Sequence, residues 1–149
     1  MAAVKILTLR SLSKDRLREA RILFASDKLH GAKYLCGYAV EHAIKYRICR
    51  YLGWNSYPPP NPKSNTNDAT WESLASLKTH DLQILLLFTG SFERIFNDAI
   101  LAAAWDDVKN WDSEIRYEAI KTQAAERTKL KTFLDSAAII MRCLGCPTS

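Results

Sequence analysis

The stretch from Ala32 to Tyr51 constrains this chain more than any other. Ala32, Cys36, Ala39, Val40, Ala43, Ile44, Arg47, Ile48 and Tyr51 recur at three-and-four spacing, which only an α-helix gathers onto one side. At about 1.5 Å rise per residue such a helix is roughly 30 Å long, the natural spine of a domain. Gly53 stands where a left-handed glycine ends a helix. The small residues Ala32, Gly37, Ala39 and Ala43 let a second helix approach closely. Together with segregated charge they predict a self-complementary surface, hence a homodimer.

Helical periodicity continues on both sides of the spine. Ser13 reads as an N-cap, with Asp15 in the first turn and Leu17, Ala20 and Phe24 on one face, which predicts a first helix from about Lys14 to Lys28. From Trp54 to Thr70 the composition turns to Pro, Asn and Ser, and Pro58, Pro59, Pro60 and Pro62 forbid regular helix or central strand, so a long loop follows the second helix. Thr79 is expected to cap a third helix, with Asp81 near its positive end, Leu82, Leu85, Leu86 and Phe88 behind, and Gly90 ending it. Ser91 is expected to cap a fourth helix reaching Ala104, followed by an acidic, Trp-rich connection from Trp105 to Tyr117. A last helix is expected from Lys121 to Leu144, with Ala125, Leu130, Phe133, Leu134, Ala137, Ile140 and Met141 inward. No alternating strand pattern appears. The expected class is all-α, an antiparallel bundle of about five helices in one domain over residues 1–149, with a loop at about 54–70.

Composition narrows the function classes. With 149 residues, 48% apolar and 25% charged, the chain is ordinary globular material. Its longest run free of polar side chains, Ala99 to Trp105, is seven residues, against the ~20 a membrane span needs. Met1 to Leu12 has no apolar stretch of signal-peptide length, so a cytoplasmic protein is expected. The net charge of +5 is uneven: residues 1–50 hold 11 Lys/Arg against 4 Asp/Glu, whereas 51–149 hold 10 against 12. A basic face can collect a polyanion, meet an acidic face of a second copy, or simply be solvated helix surface.

Few residues are arranged for chemistry. Cys143 and Cys146 form a C-x-x-C that closes a helix rather than opening one, and Cys36 and Cys49, thirteen apart, do not complete a zinc set, so structural thiols are expected. Five glycines are scattered singly, which leaves no phosphate-cradling loop. His30, His42 and His80 lie far apart with no nucleophile elbow near them. Asp106, Asp107, Asp112, Glu114 and Glu118 read as exposed acids or as partners for Arg116. No metal and no cofactor are expected.

Three segments, in order, carry a resemblance. They are Ala32 to Tyr51 with its Glu41-x-x-x-Lys45 pair, Lys78-Thr79-His80-Asp81-Leu82, and Trp111-Asp112-Ser113-Glu114-Ile115-Arg116-Tyr117. They resemble the spine helix, the T-H-D-L turn and the W…RY signature of the HEPN domain, a small helical domain of higher eukaryotes and prokaryotes. The resemblance implies a helical bundle, often a homodimer, frequently encoded beside a minimal nucleotidyltransferase and linked to RNA cleavage or nucleotide binding. Cleaving members carry R-x4-6-H, in which the arginine holds the scissile phosphate and the histidine helps transfer the proton. Arg116 stands in the arginine's place, but Tyr117 to Arg127 contains no histidine. The chain is therefore similar to the R-Y subtype.

The expected function is a non-catalytic module that binds a nucleotide or RNA, or partners a nucleotidyltransferase in a toxin-antitoxin-like or stress-related pair. Arg116 and Tyr117 would contact the ligand, with Lys33, Lys45 and Arg47 extending the positive surface. The first alternative is a metal-independent ribonuclease using Arg116 with His80 or His42. The second is a purely structural dimerisation domain. Plain structural readings stand beside these: Glu41 and Lys45 as a helix-surface ion pair, Thr79 and Asp81 as caps, and Arg116 stacked on Trp105, Trp111 or Tyr117.

Overall fold

Two long helices dominate the computed structural model, which describes residues 3–59, 77, 79–114 and 124–149. Helix α1 (Ile6–Ala25) turns through Ser26 to Lys28 into α2 (Leu29–Leu52), the expected spine, which ends at Gly53 in the left-handed region. Leu9, Ser13, Leu17 and Ala20 are the buried positions of α1, at the four-four-three spacing of one helix face. They pack on α2, where Ala32, Ala39, Val40 and Ala43 are fully buried.

The first helix begins at Ile6 rather than Lys14, and the cause is long-range. Strand β1 (Val4–Lys5) pairs antiparallel with β2 (Ser56–Tyr57), Val4 opposite Tyr57 and Lys5 opposite Ser56. This short ladder pins the start of the chain, and β2 falls inside the region read as loop. Ser13 is therefore no cap: it lies fully buried within α1, and its hydroxyl donates to the Ala39 carbonyl at 2.8 Å. A small hydroxyl with an interhelical acceptor fits where two backbones run close.

The third and fourth helices are also shorter and differently capped than expected. Asp81, not Thr79, is the N-cap of α3 (Leu82–Leu86), its carboxylate accepting from the Gln83 and Ile84 amides. Thr79, two residues earlier, instead accepts the Asp81 amide. The helix expected from Ser91 to Ala104 is two helices, α4 (Phe92–Phe96) and α5 (Ala99–Val108). Ser91 makes no side-chain cap bond, whereas Asp98 accepts from the Ile100 and Leu101 amides and starts α5. Gly90 has φ of 70° and carries the Tyr51 ring against its Cα, so both backbone and space require glycine there.

Helix α6 (Ala124–Cys143) completes the bundle, packed on α5 and α2 through Leu130, Phe133, Leu134, Ala137, Ile140 and Met141. At its amino end Arg127 donates to the Phe24 carbonyl and the Asp27 carboxylate, with its guanidinium over the Phe24 ring. Residues 121–123 of the expected last helix, and 60–70 of the expected loop, lie outside the described residues. The class is all-α, a helical bundle. No helix among the described residues is long and apolar enough to cross a membrane.

One expectation changes its basis. Ala32, Ala39 and Ala43 are fully buried within the chain, and Gly37 lies beneath the Trp111 indole. The small-residue stripe is consumed by intramolecular packing, so it offers nothing to a second copy.

Candidate functional site

Two of the three motif segments meet over the middle of α2. The Thr79-His80-Asp81 turn is fixed by its paired side-chain caps, which leave His80 between them and turn its ring onto α2. There His80 Nδ1 lies 2.5 Å from Glu41 Oε1. Glu41 is 1% exposed, while the His80 side chain is half exposed. A carboxylate only accepts, so the ring donates from Nδ1, and Nε2 is the nitrogen left for proton transfer.

Glu41 also meets Lys45, whose Nζ lies 3.5 Å from Oε2 and 5.1 Å from the centroid of the Tyr57 ring. Lys45 is itself buried. Glu41 and Lys45 are thus no surface pair, since both are withdrawn from water and each depends on the other. Tyr57 donates to the Leu77 carbonyl at 2.6 Å, and burial together with the Glu41 charge drives its phenol well above the usual range.

Trp111 forms the other wall. Its indole Nε1 donates to the Lys33 carbonyl at 3.1 Å, and its ring lies on Gly37. The Tyr38 ring stands edge-on between Trp111 and His80, with centroids 5.0 and 6.0 Å away. Between the Thr79 turn and the Trp111 segment opens a polar cleft of about 530 Å³, lined by His80, Asp81, Gln83, Lys109, Asn110 and Asp112 among others. Gln83 and Asn110 bridge it, amide to amide, at 3.2 Å. Its donors and acceptors suit a polar ligand with several hydrogen-bonding edges.

The expected site residues are dispersed around this cleft. His80 lines it and Lys45 lies behind it. Lys33 is not a lining residue; its backbone carbonyl accepts the indole N–H of Trp111, which is one. Arg47, two residues from Lys45 and so about 200° around the helix, lies within electrostatic reach of Cys143. His42 is half-buried beside Tyr38, with ring centroids 6.1 Å apart. Burial first, then the charges of Lys45, Arg16 and His80, lower its pKa to about 4. Such a ring is neutral near pH 7. Arg116, Tyr117 and Glu118 lie outside the described residues, and so do the proposed contacts of Arg116.

The remaining candidates have structural occupations. Asp106 pairs with Lys109, Asp107 accepts from Ser136, and Asp112 accepts the Glu114 amide. All four cysteines are free thiols. Burial raises Cys49 to about 12 and Cys146 to about 11, which removes the thiolate character a metal or redox site needs. Among the described residues no cluster of His, Cys, Asp and Glu could hold a metal ion.

Sequence reading missed Gln83, Lys109 and Asn110 as cleft residues, and missed that Gly37 accommodates an indole rather than a helix. A glycine inside an otherwise strong helix was the available signal, since it costs stability unless something must come close. Compared with family models, with curated proteins and with solved structures, the chain matches none.

Proposed function

We propose that this chain is a HEPN-like helical module that binds a nucleotide or a segment of RNA at the cleft between His80 and Trp111. The observation that carries this reading is convergence. Segments far apart in sequence, the Glu41–Lys45 helix, the Thr79-His80-Asp81 turn and the Trp111 segment, come together at one polar cleft. Lys109 supplies a cationic donor for phosphate, the His80 ring stands beside it, and Gln83 and Asn110 present amides suited to base or ribose edges. In this reading Arg116 and Tyr117, next along the chain from the cleft wall, extend the contact, and the module works in the cytoplasm as a homodimer or beside a nucleotidyltransferase.

A second reading, RNA cleavage without metal, is favoured by the His80–Glu41 bond. A half-exposed imidazole oriented by a buried carboxylate is the arrangement a general acid or base requires. Here Arg116 would hold the phosphate, and His42, held neutral and turned toward Tyr38, is the weaker candidate.

One experiment separates them. Fluorescence anisotropy with labelled single-stranded RNA and calorimetry with ATP measure binding, and the same RNA incubated with excess chelator measures cleavage. Binding without cleavage supports the module. Cleavage abolished by His80→Gln supports the second reading. Absence of both in the folded protein defeats the two together and leaves the purely structural domain.

A further inference from the structure

The face opposite in character to the cleft lies on the short helices α3, α4 and α5. Residues 82–105 contain only three charged side chains, Glu93, Arg94 and Asp98. Yet this segment exposes large apolar groups: Leu87 is 59% exposed, Phe92 39%, Phe96 50% and Ile100 70%. Phe92 and Phe96 stack on each other at 4.3 Å, and Ile100 follows in the first turn of α5. Leu87 precedes them, joined through the tight turn at Gly90, against which the largely exposed Tyr51 ring packs. Burial of Ile95, Ala104 and Val108 already satisfies the inward faces of α4 and α5. Among the described residues, the outward apolar groups are left exposed.

We propose that this Phe92–Phe96–Ile100 face is where a second copy of the chain docks, in a two-fold symmetric dimer. Area and charge both select a like partner. Taking roughly 200 Å² for each large apolar side chain, Leu87, Phe92, Phe96 and Ile100 leave about 400 Å² open to water, within the range at which a patch on a monomer is commonly functional. With Tyr51 and the polar rim it supplies most of the about 800 Å² per partner that a stable interface uses. A two-fold contact sets the same residues against each other, so the rim must carry both signs. It does: Arg94 stands beside Glu93 and near Asp98, so each copy offers a cation to the other's acids. A basic or acidic peptide, or an anionic membrane, would select a rim of one sign. The depletion of charge and the aromatic pair at the centre match the composition of interface cores.

This proposal does not depend on the ligand reading, because the face and the cleft share no residue named for either. The test is sedimentation velocity of the full chain from ~1 to ~100 μM, a span that brackets micromolar association. The expected result is a monomer–dimer equilibrium in that range. Phe96→Glu with Ile100→Glu should leave a monomer throughout, with an unchanged helical spectrum by circular dichroism. Arg94→Glu should weaken the dimer at least tenfold, and adding Glu93→Arg should restore it, since both copies then exchange signs. Should the double glutamate variant fail to fold, Ile100→Glu alone decides between monomer and dimer, because that side chain is the most exposed of the four named on the patch. A wild-type monomer up to ~100 μM, or a dimer that survives these substitutions in folded protein, would overturn the proposal.

Discussion

Gly37→Ala makes the sharpest test of how α2 and the cleft wall fit. In an ordinary helix interior this substitution stabilises by up to about 1 kcal/mol, because alanine has less backbone entropy to lose. Here the added Cβ would stand 1.8 Å from Trp111 Cε2, 2.0 Å from Nε1 and 2.1 Å from Cδ2. Trp111 is 5% exposed and its ring is rigid, so the indole must leave. Displacement strains the packing by about 1 to 3 kcal/mol. It also removes the Trp111 to Lys33 hydrogen bond, about 1 kcal/mol more. Set against the helix gain, the expected net loss is about 2 kcal/mol, a fall in Tm of roughly 4 to 8 °C for a domain of this size. Gly31→Ala is the internal control: its Cβ would meet only the Leu23 side-chain tip at 3.1 Å, which can swing away. Urea unfolding of both variants, and of Gly37→Ala combined with Trp111→Ala, completes the comparison. In the Trp111→Ala background Gly37→Ala should become neutral or stabilising. A Gly37→Ala protein as stable as the parent would refute the placement of the indole on α2.

Glu41→Ala should destabilise by about 3 to 5 kcal/mol, because it strands the buried Lys45 ammonium, and thermal unfolding beside a Glu41→Gln variant measures it. Asp98→Ala should cost about 1 kcal/mol by removing the α5 cap, whereas Ser91→Ala should give no cap effect at all; equal losses in denaturant melts would contradict the capping assignment. Because His42 titrates lower folded, at about 4, than its ordinary 6.5, the unfolded chain binds the proton first. The associated stability is complete above pH 6.5 and declines as the pH falls toward 4, by up to about 3 kcal/mol. His42→Gln should flatten that part of the stability profile. Cys143→Ser with Cys146→Ser should leave metal content unchanged but, with Cys146 at 2% exposure, should cost about 1 kcal/mol by burying a hydroxyl; zinc lost with the double variant would reopen the C-x-x-C.

What could be read in the sequence follows what is local. The α2 spine was legible from its periodicity and from Gly53, and so were the inward residues of α6. The start of α1 was not, because it is set by pairing with Ser56 and Tyr57 across some fifty residues, while Ser13 imitates a cap. The break between α4 and α5 was signalled by Asn97 and Asp98 ahead of the apolar run Ala99 to Ala104, but apolar residues on both sides of that pair concealed it. For the site, the Thr-His-Asp turn and Trp111 were singled out, yet the 2.5 Å meeting of His80 with Glu41 joins positions 39 apart in the chain. No local pattern encodes such a contact. The same holds for burial: Glu41 and Lys45 at four-residue spacing look identical whether their helix face meets water or the bundle.

The measurement closest to the central claim is an NMR titration of the isotopically labelled chain with adenosine monophosphate and with a short single-stranded RNA. The imidazole of His80, the Trp111 indole N–H and the side-chain amides of Gln83 and Asn110 report on the cleft directly. Saturable shifts confined to those groups and their neighbours, weakened about 10- to 100-fold by His80→Ala through loss of a charge-assisted contact, are the result expected here. Unmoved resonances at millimolar ligand, or shifts that persist unchanged in folded His80→Ala protein, would contradict it.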